Sequence, residues 1–284
     1  MKIYISVDME GISGINTKEH VLKDGRLYPE GRKLMTEDVN AAVRGAFNGG
    51  ADEVIVVDGH GASNNLITEL LDERALLLIG TPHAPRYPFL KGSDGMFLLG
   101  FHASAGTERA SLEHTMTSMA WHKYVINGRE YGELGIDADT AGWEGVPVVL
   151  VSGDDKLCDE AQAFLGDPVE KVCVKQGVGR QCALCLSPAE GRRRIEKHAE
   201  RAVRRLVSGE KFPLYSAGSP AVETITYKFT PDADAAMNYF GARRVDGYTV
   251  ERTWNRLCDA YGGLWSEMGE AQRVHFGQDE FEKE

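Results

Sequence analysis

In Lys2-Ile3-Tyr4-Ile5-Ser6-Val7-Asp8-Met9-Glu10, a short apolar run passes directly into two carboxylates. Residues 3–7 have the length and composition of a buried strand. Asp8 and Glu10 are two positions apart, so in an extended chain their side chains point to the same side. The stretch therefore predicts a first strand whose carboxyl end presents two acidic groups.

Similar apolar runs recur along the chain and alternate with helical stretches. Strands are expected at Ile3–Val7, Glu53–Val57, Ala75–Ile79, Met96–Leu99, Val146–Val151 and Val172–Lys175. Helices are expected at Glu30–Asn48, Glu133–Ala141, Asp155–Phe164 and Pro188–Val207, with another beginning near Leu66. This alternation predicts an α/β fold with a mainly parallel sheet flanked by helices.

The pattern changes in the last third of the chain. Upstream of it, Asn127-Gly128 between two short extended pieces predicts a hairpin. After Pro213 we expect strand, helix, strand and helix, in that order, at Val222–Phe229, Asp232–Tyr239, Val245–Val250 and Glu251–Trp265. We therefore predict a larger α/β domain over residues 1–190 and a smaller C-terminal α/β lobe over residues 191–284.

Composition excludes several classes of protein. The 284 residues carry 32 Lys and Arg against 43 Asp and Glu, a net charge of −11, which argues against a nucleic-acid partner. No apolar run reaches transmembrane length, so no membrane partner is expected, and the chain enters its first strand without a signal-peptide pattern. Five cysteines are an odd number that fits reduced thiols in a cytoplasmic protein. The Cys182-Ala-Leu-Cys185 motif is interpreted as structural, because it stands alone.

Three further residues join Asp8 and Glu10 as candidate metal ligands. His60 and His102 each follow an apolar run, and Glu133 follows the predicted hairpin. Open parallel sheets bind ligands beyond the carboxyl ends of their strands, so these side chains are expected at one rim. Three carboxylates and two imidazoles suit a pair of divalent cations such as Zn²⁺. From spacing alone, a metal site and a set of separately hydrogen-bonded polar residues stay open as alternatives.

Several blocks of the sequence occur in the order found in a known family. They are Ser6–Gly14, Asp58–His60, Gly100–Ala103, His114, Ile126–Gly135 and Ala141–Val148. Over residues 1 to 190 the chain resembles the zinc-dependent D-aminopeptidases of peptidase family M55. The resemblance implies that residues 1–190 form a metal-binding catalytic domain in a ring-like homo-oligomer, a decamer. It further implies a centre of two Zn²⁺ ions bridged by Asp8, with these ligands: Asp8, Glu10, His60, His102 and Glu133.

The function implied is hydrolysis of short peptides that have a free N-terminal D-residue such as D-alanine. Hydroxide formed on the two cations would attack the scissile carbonyl. The resemblance makes His114 the catalytic histidine, as a proton donor, an oxyanion stabiliser or a nucleophile. An L-specific aminopeptidase, another small-amide hydrolase, a dinuclear phosphohydrolase and a non-catalytic metal-binding oligomer remain alternatives.

Residues near His60 are expected to support it. Asp58 is expected to orient the His60 ring through the nitrogen that does not bind metal. Asn64 and Asn65 are expected to hydrogen-bond substrate or the groups that support the metal ligands, or else to cap the helix predicted near Leu66.

Overall fold

The computed structural model describes residues 1–61, 63–80 and 85–260. The strands of these ranges are β1 (Lys2–Val7), β2 (Glu53–Asp58), β3 (Ala75–Leu78), β4 (Gly95–Leu99), β5 (Trp121–Ile126), β6 (Arg129–Glu130), β7 (Val148–Asp154), β8 (Glu170–Gly179), β9 (Cys182–Cys185), β10 (Ala221–Tyr227), β11 (Arg243–Arg244) and β12 (Thr249–Trp254). The α-helices are α1 (Lys18–Val21), α2 (Tyr28–Gly49), α3 (Glu133–Trp143), α4 (Asp155–Leu165), α5 (Pro188–Val207) and α6 (Thr230–Ala236).

Seven strands form the main sheet, in the order β3-β2-β1-β4-β7-β8-β9. All neighbours are parallel except β9, which returns antiparallel along β8 at one edge. The apolar runs of the central strands β1, β4 and β7 are fully buried, as strands covered on both faces must be. The predicted α/β fold with a mainly parallel sheet is confirmed.

Helices cover both faces of this sheet. On one face α2 packs along α5, where Gly45 and Gly49 let the two helices approach closely. On the other face α3 and α4 contribute apolar side chains to the core, among them Leu134, Ala138 and Leu157. Among the described residues, no helix has both the length and the apolar character needed to cross a membrane.

The second sheet is antiparallel and has the order β11-β12-β10-β5-β6. Its core is built on aromatic side chains, with Trp121 and Tyr124 stacked at a centroid separation of 5.2 Å. Helix α3 connects the two cores, because Leu134 packs on the main sheet and Ile136 packs on the second. The amino end of α3 therefore lies between the sheets.

The predicted boundary at residue 190 needs correction. It falls inside α5, which packs on α2 and the main sheet, so residues 191–207 belong with the larger unit. Conversely, β5 and β6 come from residues 121–130 and pair into the second sheet. The smaller unit is therefore not a contiguous C-terminal lobe. The division of the chain into a larger and a smaller domain stays a prediction.

Two predicted helices are wrong where the structure describes them. Residues 251–254 continue strand β12, so the helix expected from Glu251 does not begin there; its end, 261–265, lies outside the described residues. The strand expected at Val245–Val250 begins instead at Thr249. Near Leu66 there is only a short 3-10 turn, Thr68–Leu70.

A buried carboxylate joins α5 to the main sheet. Glu170, at the start of β8, accepts hydrogen bonds from His198 Nδ1 at 2.9 Å, Arg201 Nε at 2.8 Å and Arg205 Nη1 at 2.8 Å. Burial by itself raises the pKa of Glu170, but these donors lower it from the ordinary 4.5 to about 2. The basic face of α5 therefore includes a structural ion-pair network, which also explains His198.

We expect Glu170→Gln to lower the free energy of unfolding by about 3 kcal/mol at pH 7. Because the pKa of this carboxyl is depressed in the folded protein, its contribution is complete above about pH 4.5 and is lost as the pH falls towards 2. The difference from wild type, measured by urea unfolding from pH 7 to pH 3, should therefore shrink below pH 4.5. Glu190→Gln is the control: Glu190 also pairs with arginines on α5, but in solvent. An unchanged difference at pH 3 would contradict this account.

Candidate metal centre

Strand order brings three loops to one rim of the main sheet. Strands β2, β1 and β4 are adjacent, and each is followed at its carboxyl end by a candidate ligand: His60, Asp8 and His102 respectively. Glu133 is the first residue of α3, at the end of that helix that lies between the two sheets. A carboxylate in the first turn also interacts favourably with the helix dipole. The predicted convergence of these residues is thus present in the structure.

Two glycines allow the loops after β1 and β4 to touch. The Gly11 amide donates to the Gly100 carbonyl at 2.7 Å. A Cβ on Gly11 would lie 1.9 Å from the Phe101 oxygen. Gly100 has a φ of +69°, and a Cβ added to it would lie 2.4 Å from the main-chain oxygen of Asp8. No other residue fits at either point, so the glycines set the distance between the Asp8 and His102 loops.

Asp8, Glu10 and His60 form the first half of the centre. His60 Nδ1 lies 2.9 Å from Asp8 Oδ1 and 3.0 Å from Glu10 Oε2. The other ring nitrogen, Nε2, is 2.9 Å from the Val21 carbonyl and donates to it, since a carbonyl can only accept. This contact leaves Nδ1 facing the two carboxylates, and it is the Nδ1 lone pair that would bind a metal.

His102, His114 and Glu133 form the second half. His102 Nε2 lies 3.4 Å from Glu133 Oε1, and His114 Nε2 lies 3.8 Å from the same oxygen. The two rings stack with centroids 4.0 Å apart. His102 Nδ1 donates to the Ala103 carbonyl at 3.0 Å, and His114 Nδ1 donates to the Leu112 carbonyl at 2.9 Å. Both imidazoles therefore present Nε2 to the centre.

Asp8 connects the two halves. Its Oδ1 faces His60, and its Oδ2 lies 3.3 Å from His102 Nε2. Glu10 Oε2 and His102 Nε2 are buried without a hydrogen-bond partner. Buried polar atoms are almost always partnered, so two ligand atoms without a hydrogen-bond partner in one cluster indicate a site for a cation. The donor set of carboxylates and imidazoles fits Zn²⁺ on both sides of Asp8.

Charge in this cluster is strongly redistributed. Burial tends to raise the pKa of Asp8, yet the adjacent imidazoles of His102 and His60 hold that pKa well below its usual range. Burial likewise opposes charge on both histidines, but the carboxylates around them raise the pKa of His60 and of His102 well above the usual value. The surroundings thus favour positive charge at two positions, which is the electrostatic requirement of a two-cation centre.

His114 has the opposite electrostatics. Burial, and then the neighbouring His102, lower its pKa, so its imidazole is neutral near pH 7. Its loop is strained, because Arg109, Leu112 and Met116 all have positive φ. The loop is held by several contacts, including a hydrogen bond from Met116 N to Glu133 Oε1 at 2.8 Å. His114 is therefore placed beside the centre by fixed backbone.

Of the residues expected to support His60, Asp58 acts differently from the prediction, whereas Asn65 makes supporting hydrogen bonds. Asp58 does not contact the His60 ring; its Oδ1 accepts from the His60 amide at 3.2 Å, and its Oδ2 accepts from the Leu66 amide at 3.2 Å. Asn65 caps no helix but donates to the His60 carbonyl at 2.8 Å. Both side chains hold the loop backbone. The partner of the ring is Val21, a contact that sequence reasoning missed because a carbonyl has no sequence signature.

Fold and site together define the class: an α/β protein with a candidate metal centre beyond the carboxyl ends of adjacent parallel strands. The sequence model of peptidase family M55, described as D-aminopeptidase, matches residues 1–266. A D-aminopeptidase of Bacillus subtilis (strain 168) is 42% identical over 204 residues, which cover 70% of this chain and 73% of that protein. The chain therefore belongs to the M55 family of peptidases.

A solved structure agrees over the whole fold. It is the Zn-dependent D-aminopeptidase DppA from Bacillus subtilis, described as a self-compartmentalizing protease. It superimposes with a TM-score of 0.89 and 34% identity, covering 96% of this chain and 98% of that one. The family resemblance inferred from the ordered sequence blocks is confirmed.

We expect added Zn²⁺ to stabilise the metal-free protein, because the ion would bind the buried ligand atoms that lack a hydrogen-bond partner. At a free Zn²⁺ concentration of 100 times Kd, binding raises the free energy of unfolding by about 2.7 kcal/mol per site, which is measurable as a rise in Tm. Ca²⁺ should stabilise less, since imidazole ligands disfavour it. Asp8→Ala should abolish most of the increment, whereas His198→Ala, which removes a histidine paired with Glu170 far from the centre, should keep it. Equal increments in the two variants would contradict the assignment.

Proposed function

We propose that this chain is a zinc-dependent D-aminopeptidase with two Zn²⁺ ions per subunit. The observation that carries the proposal is Asp8, whose two oxygens face imidazoles of different half-sites. Glu10 and His60 would hold one ion, and His102 and Glu133 would hold the other. Bound zinc polarises a carbonyl group and lowers the pKa of water towards neutrality. The names and descriptions of the M55 relatives support the metal and the substrate class.

His114 is the residue that we propose as catalytic. Its Nδ1 proton is engaged by the Leu112 carbonyl, so Nε2 is the atom available to the reaction. A neutral imidazole accepts a proton at Nε2 and can pass it to the leaving amine, which must be protonated to depart. Once protonated, His114 lies next to Glu133, whose carboxylate stabilises the imidazolium. Nothing in this role requires His114 to act as a nucleophile.

The alternatives differ in what the pocket must recognise. A dinuclear phosphohydrolase could use the same carboxylate and imidazole ligands, since its two cations would themselves bind the phosphate. It is disfavoured by the net charge of −11, which repels an anionic substrate. An L-specific aminopeptidase or another amide hydrolase would use the same centre with a different pocket shape. A preference for an N-terminal D-residue is therefore part of the proposal and rests on the names of the relatives. D-alanine is the residue that we propose.

We also propose that the protein assembles as a homo-oligomer. The description of the DppA structure as self-compartmentalizing supports this assembly, and a decamer is the expected subunit count. A cytoplasmic location stays a prediction from cysteine usage; all five cysteines are free thiols in the structure. Size-exclusion chromatography with light scattering would determine the subunit count.

Stereochemistry gives the first test of the proposed reaction. We expect kcat/KM for D-Ala-D-Ala to be at least about 100-fold higher than for L-Ala-L-Ala. A substrate pocket that fits one configuration at Cα would place the methyl group of the other configuration wrongly for reaction. Glu133→Gln should lower the rate at least about 100-fold, since even indirect loss of ligand support costs 10–100-fold. His122→Ala, an exposed histidine on β5, should leave the rate unchanged. Faster cleavage of the L-peptide would select the L-specific alternative.

The free amine gives a second test. The nitrogen of a free amine has a lone pair that one of the two cations could bind, whereas the nitrogen of an acylated amine has none available. We expect N-acetyl-D-Ala-D-Ala to be hydrolysed at least about 100-fold more slowly than the free dipeptide. Comparable rates would point to a general amide hydrolase. Addition of a chelator should abolish turnover of both, and persistence of activity in metal-free protein would contradict the proposal as a whole.

A further inference from the structure

One buried lysine contacts the metal loop directly and has no part in the chemistry described so far. Lys175 lies in the middle of β8 and is only 2% exposed. Its Nζ donates to three main-chain carbonyls: those of Glu10, of Ile12 at 3.2 Å and of Ile15 at 2.5 Å. An ammonium has three N–H groups, so the three acceptors saturate it.

The three carbonyls belong to one short segment, residues 9–15, which follows Asp8 and contains Glu10. The segment has no regular secondary structure, so its buried carbonyls have no ladder of their own to join. Asp38 on α2 contacts a main-chain N–H group of the same segment: its Oδ2 accepts a hydrogen bond from the Ser13 amide at 3.2 Å. The Lys175 ammonium therefore binds carbonyls of the segment, and the Asp38 carboxylate binds one of its amides.

Contact with the Glu10 carbonyl makes the effect on the centre specific. The same residue presents its carboxylate to His60 Nδ1 at 3.0 Å. A positive charge this close to a cation site opposes cation binding by Coulomb repulsion. The lysine therefore cannot assist metal binding by attraction, and any assistance must come from fixing the position of Glu10.

We propose that Lys175 is a positioning residue that holds segment 9–15 so that Glu10 can bind a cation. The inference rests on the two-zinc centre proposed above and deepens it. His102 and Glu133 approach from other loops, so the half-site that they form does not depend on Lys175. Loss of the lysine should weaken one half-site and spare the other.

The strand provides a matched control. Lys171, four residues earlier on β8, donates to the Gly166 and Val169 carbonyls at 2.8 and 2.9 Å, at the end of the strand remote from the centre. Lys175→Met and Lys171→Met each remove an ammonium and leave main-chain carbonyls without a donor. Both should lose stability in the metal-free state. Only Lys175→Met should change zinc binding.

The measurement is zinc affinity at each half-site, by competition with a chromophoric chelator. To separate the sites, each lysine variant is made in a Glu133→Gln background, which keeps the Glu10 side, and in a His60→Ala background, which keeps the other. We expect Lys175→Met to weaken zinc 10–100-fold in the first background, as loss of ligand support does, and by less than about 2-fold in the second. Lys171→Met should change neither.

Each outcome decides the matter. Unchanged affinity in both backgrounds, or an equal loss in both, overturns the positioning role while the two-zinc proposal stands. Wild-type protein that binds fewer than two zinc ions refutes the proposed function instead. If Lys175→Met does not fold, Lys175→Gln replaces it, because an amide keeps two of the three donors. That variant should show a smaller loss confined to the Glu10 side, and an equal loss on both sides overturns the inference.

Discussion

A single carboxylate shared between two imidazoles is the interaction on which the structure of the site depends. Asp8 is 5% exposed and lies between His60 and His102, so it is ionised in a place where burial alone would neutralise it. This arrangement is possible only because β2, β1 and β4 are neighbours, with Asp8 on the middle strand. Any other strand order would separate the two half-sites by the width of a strand.

The same constraint explains the tightest backbone contact in the centre. For Asp8 to reach both imidazoles, the loops after β1 and β4 must cross within hydrogen-bond distance, and side chains are excluded at the crossing. Gly11 and Gly100 meet that demand, one by lacking a Cβ and the other also by adopting a positive φ. Segment 9–15 then leaves the crossing with its carbonyls turned inward, and Lys175 satisfies them.

The part of the site that sequence could predict is the part governed by strand ends. Apolar runs locate the strands, and a polar residue just beyond each run belongs to the carboxyl rim, which identifies Asp8, His60 and His102. What escaped prediction depends on tertiary contacts. The Val21 carbonyl, 39 positions away in the sequence, accepts from His60 Nε2 and so leaves Nδ1 to face the carboxylates. Residues 251–254 form a strand because buried Arg252 pairs with Glu223 on β10, which overrides the helical pattern.

The second sheet is part of the site and not an accessory lobe. Strands β5 and β6 lead directly into α3, so the position of Glu133 depends on both cores at once. The His114 loop is tied in the same way, since Thr115 Oγ1 donates to the Tyr131 carbonyl at 3.2 Å and accepts from the Ala105 amide at 3.1 Å. Because one half-site is built on the main sheet and the other spans the junction, the complete centre can form only when both sheets are packed together. Cation affinity therefore reports the integrity of the whole fold, and strain in the His114 loop is sustained by that packing.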